Sequence, residues 1–214
     1  MTASRDKIAA LGAGRMGRGI AIAFAFAGHD VALIDFKPRA SDAFDKLAAD
    51  ALADIRTTLA MLARVGMLTA DDVAPVLSRV RVVKNDDAAG ALHEAAIVFE
   101  GVPEVVDLKR AALARASEMI DSDVIIASTT STILVDDLSG AVVRPERFLN
   151  AHWLNPAYLV PLVEVSPGAN TDPAITARLK SVLESIGKKP VVCAASPGYI
   201  VPRIQALAMN EAAR

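Results

Sequence analysis

A glycine-rich stretch near the N-terminus constrains the fold more than any other part of this 214-residue chain. The apolar run KIAAL (7–11) predicts a short buried strand, and the motif GAGRMG (12–17) follows it directly. The small apolar residues 20–27 predict a helix packed closely on a sheet, and VALID (31–35) predicts a second strand. A strand, a glycine turn, a helix and a strand within about 30 residues are typical of a unit that binds dinucleotides.

The spacing of the glycines gives each residue of the motif a predicted role. Gly12 allows a tight turn, Gly14 lets the backbone approach a pyrophosphate, and Gly17 permits close contact between helix and strand. The helix N-terminus presents free N–H groups and the positive end of its dipole to phosphates. The residues of the motif that we expect at the cofactor are Gly12, Gly14, Arg15, Met16 and Gly17.

An acidic residue ends the second predicted strand. Asp35 lies 18 residues after Gly17, where a carboxylate accepts hydrogen bonds from the adenosine ribose hydroxyls. Because this carboxylate would repel a 2′-phosphate, the sequence favours NAD over NADP, although Lys37 and Arg39 follow closely and weaken that preference. Glycines that serve turn geometry alone are the structural alternative, but turns rarely reproduce the frame and the acid together.

The rest of the chain alternates between predicted strands and predicted helices. Further strands are expected at 80–83, 96–100, 124–128, 147–152, 162–165 and 190–193, and further helices at 40–64, 69–77, 86–94, 104–119, 135–139 and 173–186. This alternation predicts an α/β fold with a Rossmann-type, doubly wound, mostly parallel sheet. The pattern becomes helical after Gly198, so we expect an NAD-binding domain over 1–196 and the first helix of an all-helical domain over 197–214.

Composition and charge argue against several classes of protein. The net charge is −2 without a basic segment, so a nucleic-acid partner is not expected. The N-terminus lacks the pattern of a signal peptide, and no run approaches the roughly 20 apolar residues of a membrane span. A single Cys193, expected to be buried, fits a reducing compartment. We therefore expect a cytoplasmic protein that binds a small molecule, without a metal site.

The stretch AHWLNPAYLVPLVEV (151–165) combines apolar residues with two groups suited to proton transfer. His152 and Glu164 are twelve residues apart, and a glutamate among apolar residues needs a partner because burying it alone is costly. An imidazole accepts a hydroxyl proton near neutral pH, and a carboxylate on its other nitrogen fixes the tautomer. A purely structural histidine is the alternative, and it is the favoured interpretation for His29, expected at the surface, and for His93.

Five blocks of sequence occur in an order that resembles the L-3-hydroxyacyl-CoA dehydrogenase family. They are GAGRMGRGIA, EGVPEVVDLK, ASTTST, RFLNAHWLNP with LVEV, and KKPVV with SPGYIVPRI. The likeness covers nearly all of the chain. It implies an NAD-binding domain followed by a smaller helical domain that builds a homodimer, with most of that helical domain beyond Arg214.

The resemblance also implies roles for individual residues. His152 is similar to the family's catalytic histidine and Glu164 to the residue that orients it. Ser131 is similar to the serine that binds the substrate oxygen, and Asn155 to the residue near the nicotinamide; both are expected to lie at the cofactor as well. The residues similar to further cofactor positions are Glu104 and Lys109.

Two features depart from the family pattern. Pro202 stands where the family usually has an asparagine near the substrate, although a proline is tolerated in a first helical turn. Between residues 40 and 68, where acyl-CoA members place lysines, the basic residues are only Lys46, Arg56 and Arg64.

Three functional hypotheses therefore remain open. The first is oxidation of a 3-hydroxyacyl-CoA such as 3-hydroxybutyryl-CoA, a reaction of fatty acid metabolism. The second is oxidation of a smaller substrate that lacks CoA, since relatives on the same plan act on gulonate, carnitine or a pyridine aldehyde. The third is a non-catalytic NAD-binding protein. The other β-hydroxyacid dehydrogenase family, which uses a catalytic lysine on a long helix, is disfavoured because no such element is found.

Overall fold

The computed structural model describes residues 5–214 of the chain. The eight strands of this part are β1 (Ile8–Leu11), β2 (Val31–Ile34), β3 (Val80–Val83), β4 (Ile97–Glu100), β5 (Ile125–Ser128), β6 (Phe148–Trp153), β7 (Leu162–Pro167) and β8 (Lys189–Val192). They form one sheet in the spatial order β3-β2-β1-β4-β5-β6-β7-β8. The strands lie within two residues of their predicted positions.

Helices connect most of the strands. The α-helices are α1 (Arg15–Phe26), α2 (Ser41–Arg64), α3 (Val73–Leu77), α4 (Ala88–His93), α5 (Val106–Ser117), α6 (Val135–Ser139), α7 (Pro173–Ser185) and α8 (Val201–Ala212). Short 3-10 turns occur at Ala70–Asp72, Asn85–Asp87 and Pro145–Arg147. Helix α1 begins five residues before its predicted start, because the glycine turn leads directly into the helix at Arg15.

The direction of the strands confirms the predicted fold class. Strands β1 to β6 are parallel to one another, and their order 3-2-1-4-5-6 is that of a doubly wound dinucleotide-binding sheet. Strand β7 is antiparallel to β6, and β8 is parallel to β7. The order reverses between β1 and β4, and in such sheets ligands bind in the crevice at the carboxyl ends of the strands next to that reversal.

Two apolar clusters cover the two faces of the sheet. Helices α1, α2, α3 and α7 pack on one face, and α4, α5 and α6 pack on the other. Alternate residues of each central strand enter opposite clusters, so β1 contributes Ile8 and Ala10 to one and Ala9 and Leu11 to the other. Helix α8 has no buried residue and contributes to neither cluster.

The glycine turn depends on close backbone contact at two positions. A Cβ atom added to Gly17 would lie 2.1 Å from the Gly12 carbonyl oxygen, a distance that only a shift of the backbone could relieve. Gly12 has a φ of +99°, in the region that favours glycine, and its added Cβ would lie 3.0 Å from the Gly101 carbonyl oxygen. Both glycines are therefore required by the packing of α1 against β1 and β4.

Two sequence expectations of burial were wrong. His29 is buried rather than at the surface, because its Nδ1 lies 2.8 Å from the carbonyl oxygen of Asp6 and its ring packs edge-on against Phe24. Cys193 is only half-buried, because it directly follows β8 at the edge of the sheet. His93 is exposed and pairs with Asp121 at 2.8 Å, which confirms a solvated structural histidine.

Residues 5–214 include no helix with the length and apolar character that a bilayer crossing requires. Within the same range, no group of three or more histidine, cysteine and acidic side chains is arranged to hold a metal ion.

We predict opposite effects for two glycine-to-alanine substitutions. Gly17→Ala should lower the free energy of unfolding by about 1–3 kcal/mol or more, because the new methyl group meets fixed backbone. Gly90→Ala, in α4 with no atom within 4 Å of its added Cβ, should raise it by roughly 0.5–1 kcal/mol. Urea unfolding of both variants measures the difference. Equal stability of the two proteins would contradict the packing role of Gly17.

Candidate active site

A cavity of about 550 Å³ opens at the carboxyl ends of β1, β2 and β4, where the strand order reverses. Residues that line it include Gly12, Gly14, Asp35, Gly101, Val102 and Leu108. Gly14 is the N-cap of α1 without a side-chain cap, and an added Cβ there would meet no atom within 4 Å. The first amides of α1 therefore lie at an open, uncapped helix N-terminus, which fits the phosphates of a dinucleotide.

One end of this cavity has the features expected for an adenosine site. Asp35 is buried directly after β2, and the guanidinium of Arg39 forms an ion pair with its Oδ2. The guanidinium of Arg115 lies 4.0 Å above the centre of the Phe36 ring, and both side chains line the cavity. Asp35 thus lies at the end of the second strand, as the sequence predicted. The ion pair with Arg39 partly neutralises its charge, and Arg39 was one of the two residues expected to weaken the preference for NAD.

A buried ion pair supports the loop that forms one wall of the cavity. Lys109 Nζ lies 3.0 and 3.2 Å from the two carboxylate oxygens of Glu100 and donates to the Val102 carbonyl oxygen at 3.1 Å. The Ser128 hydroxyl donates to Glu100 Oε2 at 2.5 Å, and the Val102 amide donates to Oε1 at 2.7 Å. The ammonium of Lys109 is thus saturated by protein oxygens and fixes the loop after β4; its contact with the cofactor stays a prediction.

Glu104 ties the loop after β4 to the loop after β5. Its Oε1 accepts from the Ser131 amide at 2.9 Å, from the Thr132 amide at 3.1 Å and from the Thr130 hydroxyl. Burial raises the pKa of Glu104, but the Thr130 hydroxyl, the charge of Lys109 and the two amides more than offset this and hold the pKa below its ordinary value. An ionised Glu104 therefore fixes the backbone of Ser131.

His152 and Glu164 form a hydrogen-bonded dyad. The antiparallel register of β6 and β7 places them directly opposite each other, on the same face of the sheet. His152 Nδ1 lies 2.7 Å from Glu164 Oε2; the histidine is 5% exposed and the glutamate is fully buried. The strand pairing therefore explains the twelve-residue spacing. A carboxylate can only accept, so Nδ1 carries the proton and Nε2 keeps a free lone pair.

The second carboxylate oxygen of Glu164 binds the start of α8. Oε1 accepts from the amide of Ile200 at 2.8 Å and from the amide of Val201 at 2.9 Å. These are unpaired donors at a helix N-terminus, where a negative charge is favourable. The glutamate is therefore satisfied by three donors, although it is fully buried.

The loops that follow β4, β5 and β6 bring three further predicted residues to one edge of the sheet. Glu104, Ser131 and Asn155 follow neighbouring parallel strands, so they lie on the same side as the dyad. Ser131 is half-exposed and Asn155 is exposed, so both are accessible. Pro202 occupies the first turn of α8, as expected for a proline that leaves the helix intact.

Sequence reasoning missed four polar residues at this edge. All four are fully or almost fully buried and hydrogen-bonded: Glu100, Ser128, Asn150 and Tyr199. Within residues 5–214, the Oδ1 atom of Asn150 has no hydrogen-bond partner. The signal for Glu100, Ser128 and Asn150 was present in the sequence, because a polar residue within or at the end of a predicted buried strand requires a partner. Tyr199 lies in a loop, and its partners could not be inferred from local sequence.

Comparison with known proteins agrees with this geometry. The model of the family described as 3-hydroxyacyl-CoA dehydrogenase, NAD binding domain, matches residues 7–196. The (S)-3-hydroxybutyryl-CoA dehydrogenase structure from Ralstonia eutropha superposes with a TM-score of 0.88 at 31% identity, covering 97% of this chain and 70% of that chain.

Two curated proteins illustrate how much of a longer relative this chain represents. The fatty acid oxidation complex subunit alpha of Psychrobacter arcticus is 34% identical over 199 residues, which are 93% of this chain and 26% of that protein. The 3-hydroxybutyryl-CoA dehydrogenase of Bradyrhizobium diazoefficiens is 35% identical over 213 residues, which are 99% of this chain and 69% of that protein. With its phosphate-binding turn, its doubly wound sheet and these matches, the chain belongs to the 3-hydroxyacyl-CoA dehydrogenase family of NAD-dependent oxidoreductases and contains the family's NAD binding domain.

Proposed function

We propose that this protein oxidises the hydroxyl group of a 3-hydroxyacyl substrate with NAD, with His152 as general base and Glu164 as the residue that orients it. The observation that carries the proposal is the 2.7 Å hydrogen bond between the two side chains at the edge of the sheet that also forms the cofactor cavity. Oxidation of a secondary alcohol requires a proton acceptor and a hydride acceptor close together, and a dyad on the same side of the sheet as the cofactor cavity supports that assignment.

In this proposal, four residues have separate roles in the reaction. His152 Nε2 accepts the hydroxyl proton, and Glu164 stabilises the imidazolium that forms at Nδ1. NAD, when bound, takes up the hydride that leaves the carbon atom. Ser131, whose backbone is fixed by Glu104, would bind the reacting oxygen, and Asn155 would help to hold the nicotinamide.

The assignment of domains and partners completes the proposal. Residues 1–196 form the NAD-binding domain, and 197–214 provide the first helix of an all-helical domain. Helix α8 has no buried residue and belongs to neither core cluster, which supports this division. The homodimer formed through the helical domain is what the family resemblance implies, and the cytoplasmic location is what the composition of the sequence led us to expect.

One groove near the phosphate-binding turn favours a second candidate substrate, a small acid that lacks CoA. A groove of about 470 Å³ lies between α1 and α2 beside the phosphate-binding turn, lined by Arg15, Arg18, Asp54, Thr57 and Thr58. The guanidinium of Arg18 is paired with Asp54, and the three basic residues of α2 do not line the groove. Among the described residues that line the groove, Arg15 is the one cation without an ion pair. A single cation suits one carboxylate better than the several phosphates of CoA, so a small hydroxy acid or an aldehyde acid is the alternative to a 3-hydroxyacyl-CoA.

A substrate panel separates these candidates. We expect NADH formation from 3-hydroxybutyryl-CoA, and the competing substrates are 3-hydroxybutyrate, L-carnitine and L-gulonate. Turnover of a free acid without turnover of the CoA ester would replace the first candidate by the second. NAD binding without turnover of any compound would favour a non-catalytic role.

We predict that His152→Gln lowers kcat by roughly 10²–10⁴-fold, because the general base is lost while the fold is kept. The affinity for NAD, measured by calorimetry, should change little. His93→Gln is the matched control, since this histidine is exposed and distant in sequence from the site. A His152→Gln variant as active as the control would remove the histidine from the mechanism.

We predict that Asp35→Ala weakens NAD binding and narrows the preference over NADP. The carboxylate is the expected acceptor for the ribose hydroxyls, and its loss leaves Arg39 free to bind a 2′-phosphate. Dissociation constants for both cofactors measure the change, and Asp71→Ala, in the exposed 3-10 turn Ala70–Asp72, is the control. An unchanged ratio would place cofactor selection elsewhere in the cavity.

A further inference from the structure

Tyr199 lies against the catalytic dyad in an unusual backbone conformation. Its φ is +44°, and among residues 5–214 no other residue except glycines has a positive φ. Its side chain is almost fully buried, with 2% of the residue exposed. Its ring stacks on the imidazole of His152, with centroids 5.4 Å apart and planes 24° from parallel. A bulky residue in this region of φ costs energy and persists only where its surroundings hold it.

Asn150 holds the ring from the other end. It is fully buried on β6, two residues before His152 and therefore on the same face of the sheet. Its Nδ2 donates to the Tyr199 hydroxyl at 2.9 Å and to the Ile133 carbonyl oxygen at 3.0 Å. The Tyr199 ring is thus fixed at its hydroxyl by the same strand that presents the histidine.

The hydroxyl stays neutral in this environment. Burial raises the pKa of Tyr199 well above its ordinary value, and the hydrogen bond from Asn150 lowers it by less. The negative charges of Glu104 and Glu164 raise it further. The phenol therefore packs as an uncharged ring and does not itself exchange a proton with the dyad.

The two residues that follow Tyr199 bind the other member of the dyad. The amides of Ile200 and Val201 both donate to Glu164 Oε1, at 2.8 and 2.9 Å. The three consecutive residues 199–201 therefore contact the ring of His152 and the carboxylate of Glu164 at the same time.

We propose that Tyr199, anchored by Asn150, is a positioning residue that sets the plane of the His152 imidazole. The covalent bond to Cβ and the hydrogen bond from Nδ1 to Glu164 fix two points of the ring but leave it able to rotate about the line that joins them. A flat aromatic contact removes that rotation, so Nε2 keeps its aim at the substrate hydroxyl. Because this inference rests on His152 as the base, its test includes a measurement that needs no substrate.

The test uses ¹⁵N-histidine labelling, which is simple here because the chain has only three histidines. His152→Gln identifies the signals of His152 in the spectrum. In the wild type we expect one neutral tautomer, with the proton on Nδ1. In Tyr199→Leu the ring contact is lost, so the Nδ1 and Nε2 shifts should move toward those of a tautomer mixture. Ile204→Ala, one turn along the exposed face of α8, is the control and should match the wild type.

Kinetics provide the second measurement. Tyr199→Leu should lower kcat by about 10–100-fold with an unchanged dissociation constant for NAD, as for a misaligned base. Tyr199→Phe keeps the stacked ring and should recover most of the activity and the wild-type shifts. Asn150→Ala releases the hydroxyl end of the ring and should give an intermediate loss. The Phe and Ala variants keep the test decisive if Tyr199→Leu does not fold.

The possible results distinguish the positioning role of Tyr199 from the role of His152 as general base. Wild-type nitrogen shifts and kcat in Tyr199→Leu would overturn the positioning role while leaving the base assignment intact. Full activity of His152→Gln would overturn the base assignment, and the nitrogen shifts alone would then decide whether Tyr199 orients the ring. A loss of activity in Tyr199→Phe as large as in Tyr199→Leu, with unchanged shifts, would also overturn it.

Discussion

The proposed catalytic dyad of this protein depends on one buried carboxylate, that of Glu164. Glu164 is fully removed from solvent, and an unpaired charge there would cost several kcal/mol. It is stable because three donors from two elements converge on it: the imidazole of His152 and the amides of Ile200 and Val201. The same interactions fix the tautomer of the histidine and attach the start of α8 to the sheet. The geometry of the proposed catalytic dyad and the attachment of α8 therefore depend on the same carboxylate.

A second buried carboxylate plays the corresponding part at the cofactor cavity. Glu100 ends β4 and binds Lys109, Ser128 and the amide of Val102, so it joins two neighbouring strands to the helix that follows the loop. Glu100 lies at the carboxyl end of β4, and Glu164 lies opposite His152 near the carboxyl end of β6, so both are on the side of the sheet where ligands bind. The rigid part of the site thus consists of saturated polar groups, while the open glycine turn leaves its amides free for phosphate.

The departures from the family pattern concern substrate recognition rather than chemistry. Pro202 leaves α8 intact but cannot donate a side-chain hydrogen bond, and the groove beside α1 offers few free cations. The cofactor turn and the dyad keep the full set of predicted groups. The residues proposed for hydride and proton transfer therefore match the family pattern, whereas Pro202 and the groove beside α1 depart from it.

The sequence by itself determined the parts of this protein that rest on local constraints. The glycine spacing, the acid after the second strand and the alternation of strands and helices predicted the doubly wound sheet and the cofactor cleft, because each depends on backbone geometry within about 30 residues. The pairing of His152 with Glu164 was also predicted, since a glutamate in an apolar strand requires a partner. Only the tertiary structure decided that Glu100 joins Lys109 and that Tyr199 stacks on His152. These contacts link distant elements, and no periodicity or propensity encodes which buried polar group meets which.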